Sequence, residues 1–136
     1  MDLMQSMSIS AGGMYAQSQR MKVAAENIAN QDSVQDASGT GPYRAKLVTF
    51  RSVLERKSGL TGVEVKKISP DMATPLKSVY QPGSPLADSR GFVKMPNVDP
   101  TVENLNMREA QRSYEANMAA LTTAREMATR TLDLLR

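Results

Sequence analysis

Residues 99–135, DPTVENLNMREAQRSYEANMAALTTAREMATRTLDLL, decide the architecture, because they read as one long helix with a start signal. Asp99 has the short acceptor side chain of an N-cap. Pro100 follows at the first helical position, where its missing N–H costs nothing. From there Ala110, Tyr114, Asn117, Leu121, Ala124, Ala128, Thr131 and Leu135 recur at spacings of three and four and share one face. Met107, Met118, Met127, Leu132 and Leu134 widen that face beyond what one partner helix covers. Glu109–Arg112 and Glu126–Arg130 add exposed charge pairs, each contributing roughly a few tenths of a kcal/mol.

A stripe that wide needs partners, and the other end of the chain supplies the first. Residues 3–30 carry a heptad with Met4, Ala11, Ser18 and Ala25 at one seam position and Met7, Met14, Met21 and Ile28 at the other. Gly12 and Gly13 interrupt it, each costing about 1 kcal/mol relative to Ala in a helix interior. They mark a kink, a close helix crossing or the true helix start. At a rise of 1.5 Å per residue the helices run on the order of 40 and 55 Å. Both therefore project beyond any core the middle of the chain can build.

Between them the period changes. Residues 43–50, 63–68, 76–80 and 92–95 read as short strands, punctuated by Gly39-Thr40-Gly41-Pro42 and Pro82-Gly83-Ser84-Pro85. The expected fold is α+β. Helices 1–30 and 99–136 form an antiparallel, coiled-coil-like hairpin and one domain. A β-hairpin-rich middle, 31–98, lies between them and begins with a mobile loop at 31–42. Asp71, Asp88 and Asp99 sit beside Pro and Gly, so turn and cap roles suit them better than a catalytic carboxylate pair.

Composition narrows the function. The 136 residues include ten Met, four Tyr and two Phe, with no Trp, His or Cys. Thiol, imidazole, Ser-His-Asp and His–Cys zinc chemistry are thereby excluded, and neither an enzyme nor a bound cofactor is expected. A chain rich in Met and Ala suits adaptable helix–helix contacts. The net charge of +3 is mild. Its basic clusters, Arg56-Lys57 and Lys66-Lys67, lack the aromatic interleaving of a nucleic-acid platform. No run suits a membrane span, the Met stripe lacks the flanking Lys, Arg and Trp of an inserted face, and residues 1–6 do not read as a cleaved signal peptide.

Two motifs bring a family into view. Residues 24–30, Ala-Ala-Glu-Asn-Ile-Ala-Asn, resemble the Asn-rich end of the first helix in axial proteins of the bacterial flagellum. Residues 112–117, Arg-Ser-Tyr-Glu-Ala-Asn, resemble their C-terminal helix signature. Four further segments occur in order, at 29–34, 41–46, 79–88 and 91–98, and together they are similar to the proximal-rod proteins of the flagellar basal body. Asn27, Asn30, Pro42, Tyr43, Pro96, Asn97 and Asn117 are the motif residues singled out. Gln31 and Ser84 depart from the commoner family residues.

The resemblance implies a structural subunit of the rod, exported by the flagellar type III apparatus without a cleaved signal. It would be placed in the periplasmic space, with terminal helices that line the export channel and carry torque. Other rod subunits, copies of itself and the rod-to-membrane-ring adaptor are the implied partners. Met7, Met14, Met21, Ile28, Tyr114, Leu121, Ala124, Ala128 and Leu135 are the expected subunit-packing residues, and Asn30 and Asn117 are expected to cap or cross-link helices by side-chain hydrogen bonds to backbone. The alternative is a soluble helical chaperone or adaptor of a type III secretion system. The isolated chain is expected to be a monomer with partly disordered ends that gain helix on assembly.

Overall fold

The computed structural model describes residues 3–35, 39, 41–55 and 59–134. Its element order is α1 (Leu3–Ala29), β1 (Lys46–Glu55), β2 (Leu60–Pro70), β3 (Lys77–Tyr80), β4 (Phe92–Met95) and α2 (Pro100–Leu134). The fold is α+β, with two long terminal helices and small antiparallel sheets between them. Leu135, Arg56 and Lys57 lie outside the described residues, as does part of the 31–42 loop.

Helix α2 starts where its sequence places it. Asp99 Oδ1 accepts the Thr101 amide at 2.9 Å, and the Asp99 carbonyl accepts the Glu103 amide at 3.0 Å. Helix α1 runs straight through Gly12 and Gly13. Of the three roles open to that pair, close crossing is the one found at Gly13. A Cβ there would lie 3.0 Å from the Asn117 side chain on α2, whereas one on Gly12 would meet only the Val63 carbonyl, at 3.6 Å.

The helices lie antiparallel, with Asn27 bonded to Glu103, Arg20 to Asn106 and Glu109, and Gly13 beside Asn117. This seam repeats every seven residues, at 13, 20 and 27 on α1 and at 103, 110, 117 and 124 on α2. On α2 it follows the expected stripe, with Ala110 and Ala124 buried and Tyr114, Asn117, Leu121 and Ala128 half-buried. On α1 it falls one residue earlier than the apolar heptad. Ser10, Ala16, Val23, Ala24 and Asn27 are buried, while Ala11 and Ala25 are exposed and Ser18 is half-buried. The displacement has a simple cause: the facing α2 surface is small and polar, and small or polar groups of α1 complement it best. Glu109 is drawn into this contact through a 3.0 Å ion pair with Arg20, and neither expected intrahelical pair forms among the described residues.

The middle segment makes two separate two-stranded sheets. β1 and β2 pair from Lys46↔Pro70 to Glu55↔Leu60, with a bulge after Thr49 that leaves Lys66 unpaired. Strand alternation puts Val48, Phe50, Leu54, Val63, Val65 and Ile68 on one face of this hairpin. That face leans on α1, over clefts lined by Gly12, Tyr15 and Gln19 at one end and by Arg20, Val23 and Ala24 at the other. β3 and β4 pair from Lys77↔Met95 to Tyr80↔Phe92, and the Tyr80 and Phe92 rings meet edge to face at 5.3 Å. Gly91 follows the turn at φ 82°, where a Cβ would strike the Tyr80 ring at 2.9 Å.

The core is thin. Its buried apolar residues are Ala16, Val23, Ala24, Ala45, Val93, Val98, Ala110 and Ala124, and none is aromatic or methionine.

Candidate assembly site

The end of α1, the start of β1 and the first turn of α2 converge on Asn27, whose side chain is wholly buried. Its Oδ1 accepts the Lys46 amide at 2.8 Å and the Tyr43 hydroxyl at 2.9 Å. Its Nδ2 donates to the Lys46 carbonyl at 3.0 Å and to Glu103 Oε1 at 3.1 Å. All four hydrogen-bonding positions of the amide are filled. One residue back, the Ala45 amide donates to Asn97 Oδ1 at 2.8 Å, and Asn97 Nδ2 donates to the carbonyls of Asp71 and Thr74. Two buried asparagines therefore grip consecutive backbone amides where the hairpin leaves the helices. Pro96 is packed out of solvent beside Asn97.

Charge reinforces this junction. Lys46 Nζ lies 2.9 Å from Glu26 Oε2, and that hydrogen bond raises the lysine pKa. Burial pushes the Tyr43 hydroxyl up, and burial likewise raises Glu103 against the hydrogen bonds from Asn27 and Asn106. Asp71 and Asp88 have the turn roles their spacing predicts. Asp71 Oδ1 accepts the Ala73 and Thr74 amides, and Asp88 Oδ1 accepts those of Arg90 and Phe92. Hydrogen bonds, from Thr74 first in one case and Phe92 in the other, hold both carboxyls below their usual range.

Asn30 and Asn117 bond backbone within their own helices. Asn30 Nδ2 donates to the Glu26 carbonyl at 2.8 Å and its Oδ1 accepts Ser33 Oγ, closing the end of α1. Asn117 Nδ2 donates to the Ser113 carbonyl at 2.9 Å while its side chain fills the space over Gly13. Arg20, Lys46 and Glu103 escaped the sequence reading. The seven-residue spacing of Gly13, Arg20 and Asn27 was the signal available, hidden by the stronger apolar heptad beside it.

Two apolar surfaces remain outside the seam. At about 100° per residue, Met7, Met14, Met21 and Ile28 lie on the flank of α1 turned away from the hairpin. On α2, Met107, Tyr114 and Met118 turn away from Asn106, which lines the hairpin-side cleft. The two flanks meet along the groove between the helices as one Met-rich face, half-buried except for Met118. Ala124 and Ala128 sit in the seam itself. A second stripe on α2, Val102, Leu105, Ala116, Ala120, Met127 and Leu134, is exposed along its length, reaching 88% at Leu134. Because Gly13 lies opposite Asn117, the last two turns of α2 extend past Leu3, the start of α1, with no partner helix among the described residues.

Chemistry is sparse by comparison. Among the described residues no cluster of acidic groups is arranged to hold a metal, and no helix is long and apolar enough to cross a membrane. The clefts, of about 350–430 Å³, are open; two are lined by groups already engaged in the junction or the hairpin contact, and a third lies beside the β3–β4 pair, against Pro42, Asp88, Phe92 and Lys94.

Comparison with known proteins accounts for this emphasis on surface. Residues 7–35 match the family described as flagella basal body rod protein, and residues 89–134 match flagellar basal body rod FlgEFG protein C-terminal. The flagellar basal-body rod protein FlgC of Escherichia coli O6:H1 is 46% identical over 134 residues, 98% of either chain. That of Agrobacterium fabrum is 44% identical over 128 residues, 94% of this chain and 91% of its own. The chain belongs to the FlgC family of flagellar basal-body rod proteins.

The FlgC assignment makes the molecule a structural subunit of the basal-body rod, a part that assembles with other rod components. The two family matches cover α1 and β4–α2, which include Asn27, Asn30, Asn97 and Asn117. Tyr43 and Lys46, the other half of the junction, lie between those matches and inside the full-length similarity to FlgC relatives.

Proposed function

We propose that this subunit builds the rod by packing its terminal helices against copies of itself and other rod subunits. The carrying observation is the inversion of the helix pair. Its internal seam is small and polar, while its methionines, Leu105, Leu132 and Leu134 lie outside the seam. A pair arranged for solitary stability would bury those groups. Met7, Met14, Met21, Ile28, Tyr114 and Leu121 are the neighbour-facing residues, and Ala124 and Ala128 hold the intrachain seam.

In this reading the helices line the export channel and pass torque from subunit to subunit, with the asparagine junction fixing the hairpin rigidly to the helices. The chain travels through the flagellar type III export apparatus without a cleaved signal, enters the rod in the periplasmic space, and contacts the rod-to-membrane-ring adaptor at the base. It neither inserts in a membrane nor catalyses a reaction. The similarity to FlgC relatives and the two outward apolar surfaces support this reading over that of a secretion chaperone.

Leu121→Asp tests it. The half-buried Leu121 borders the Met-rich face, so a carboxylate there should abolish incorporation and swimming while export continues. Motility assays paired with immunoblots of exported and basal-body fractions make the measurement. Normal swimming with normal incorporation would sink the packing claim.

A further inference from the structure

All ten methionines except Met1 fall among the described residues, and none of them is buried. Methionine ordinarily fills irregular gaps in cores. Here Val93, Val98 and small residues make the core, and every described thioether lies outside it. Five of them, Met7, Met14, Met21, Met107 and Met118, fall on the single face described above. With no Cys in the chain, thioethers are its readiest targets for a small two-electron oxidant, and these five join the more exposed Met4, Met72 and Met127 in being within reach of one.

We propose that the thioethers of Met7, Met14, Met21, Met107 and Met118 form a modification site, oxidised to sulfoxides in the free subunit and shielded once it is assembled. The proposal rests on the packing reading of that face. In the step, the sulfur lone pair attacks one oxygen of hydrogen peroxide, an S–O bond forms and the O–O bond breaks. The proton of the attacked oxygen passes to the departing one, which leaves as water, so sulfur loses two electrons and peroxide gains them. The product replaces an apolar, flexible side chain with a polar, chiral one bearing a strong acceptor. Among the apolar residues of the face, Ile28, Tyr114, Leu121 and the other thioethers, only the Tyr114 hydroxyl can donate to it; Ser10, Gln17 and Gln111 lie along its edges and are too few to pair with five sulfoxides. Packing such a face dry leaves the acceptors unpaired, so oxidised subunits stay out of the rod until they are reduced.

The experiment compares purified full-length chain with isolated hook–basal bodies containing it, both exposed to the same hydrogen peroxide and mapped by peptide mass. The five sulfurs should oxidise at least about tenfold more slowly in the assembled state. Equal rates in the two states overturn the proposal. Sedimentation of untreated and peroxide-treated chain with other rod subunits then reads assembly. Treatment should raise the concentration needed by at least about tenfold, and the methionine sulfoxide reductases should restore it. An unchanged midpoint overturns the proposal.

A variant with Leu at all five positions, a near-conserved volume, should assemble with or without peroxide. Should it fail to fold, restoration by reductase carries the same test on the natural chain. If Leu121→Asp blocks assembly and peroxide does not, only the modification site falls. If Leu121→Asp assembles normally, the packing reading falls and takes this inference with it.

Discussion

At the scale of single residues, Asn27 does the most. Replacing it with Ala strands the Lys46 amide, the Tyr43 hydroxyl and one Glu103 contact in a buried site. Unmade buried hydrogen bonds cost about 1–3 kcal/mol apiece, so Asn27→Ala should destabilise the chain by on the order of 3–5 kcal/mol in urea unfolding. Asn30→Ala, which loses two half-exposed bonds, to the Glu26 carbonyl and from Ser33 Oγ, should cost only about 1 kcal/mol. Tyr43→Phe separates hydrogen bonding from ionisation. Tyr43 and Lys46 both have folded pKa values raised above 10.0 and 10.5. Their stabilisation is therefore fully present below those unfolded values and lost as pH rises through the folded ones. Tyr43→Phe should lose about 1 kcal/mol at neutral pH and show a shallower fall in melting temperature above pH 10. Sequence motifs named Asn27, Tyr43 and Asn97, but their joint role was not legible. The residues lie up to 70 positions apart, from 27 to 97, and only the fold brings them to adjacent backbone amides.

At the scale of the helices and strands, the paired glycines separate two effects. Gly12→Ala meets only the Val63 carbonyl, at ordinary contact distance, and gains helix propensity, so it should stabilise the chain by roughly 0.5–1 kcal/mol. Gly13→Ala gains the same propensity but presses on Asn117, which is tied to its own helix at 2.9 Å. It should be neutral or destabilising, and adding Asn117→Ala should recover the gain. Equal melting temperatures for the two single variants would argue against the close crossing. The strands were legible to within a few residues because alternation and turn residues act locally. The α1 seam was not, because periodicity reports where apolar side chains lie without saying what faces them. Here the neighbour in the chain took the polar flank, and the apolar heptad was left to the outside.

At the scale of the whole molecule, two helices of 27 and 35 residues hold a thin core and a polar seam. Such a pair buries little apolar area, and an isolated helix gains most of its stability from packing. The purified chain at micromolar concentration should therefore show clearly less helix by circular dichroism than these 62 of 136 residues, and should gain it on joining other rod subunits. Full helicity in dilute monomer would contradict this. The sequence alone determined the α+β class, the end of the first helix and the start of the second, the asparagine motifs and the absence of thiol and imidazole chemistry. These rest on local propensity, capping and composition, which need no long-range contact. Only the tertiary structure decided which flank of α1 meets α2, that the methionines share an outward face, and that Asn27 and Asn97 clamp Lys46 and Ala45. Each of those depends on which distant surfaces complement one another in shape and hydrogen bonding, and a linear pattern does not contain its own partner.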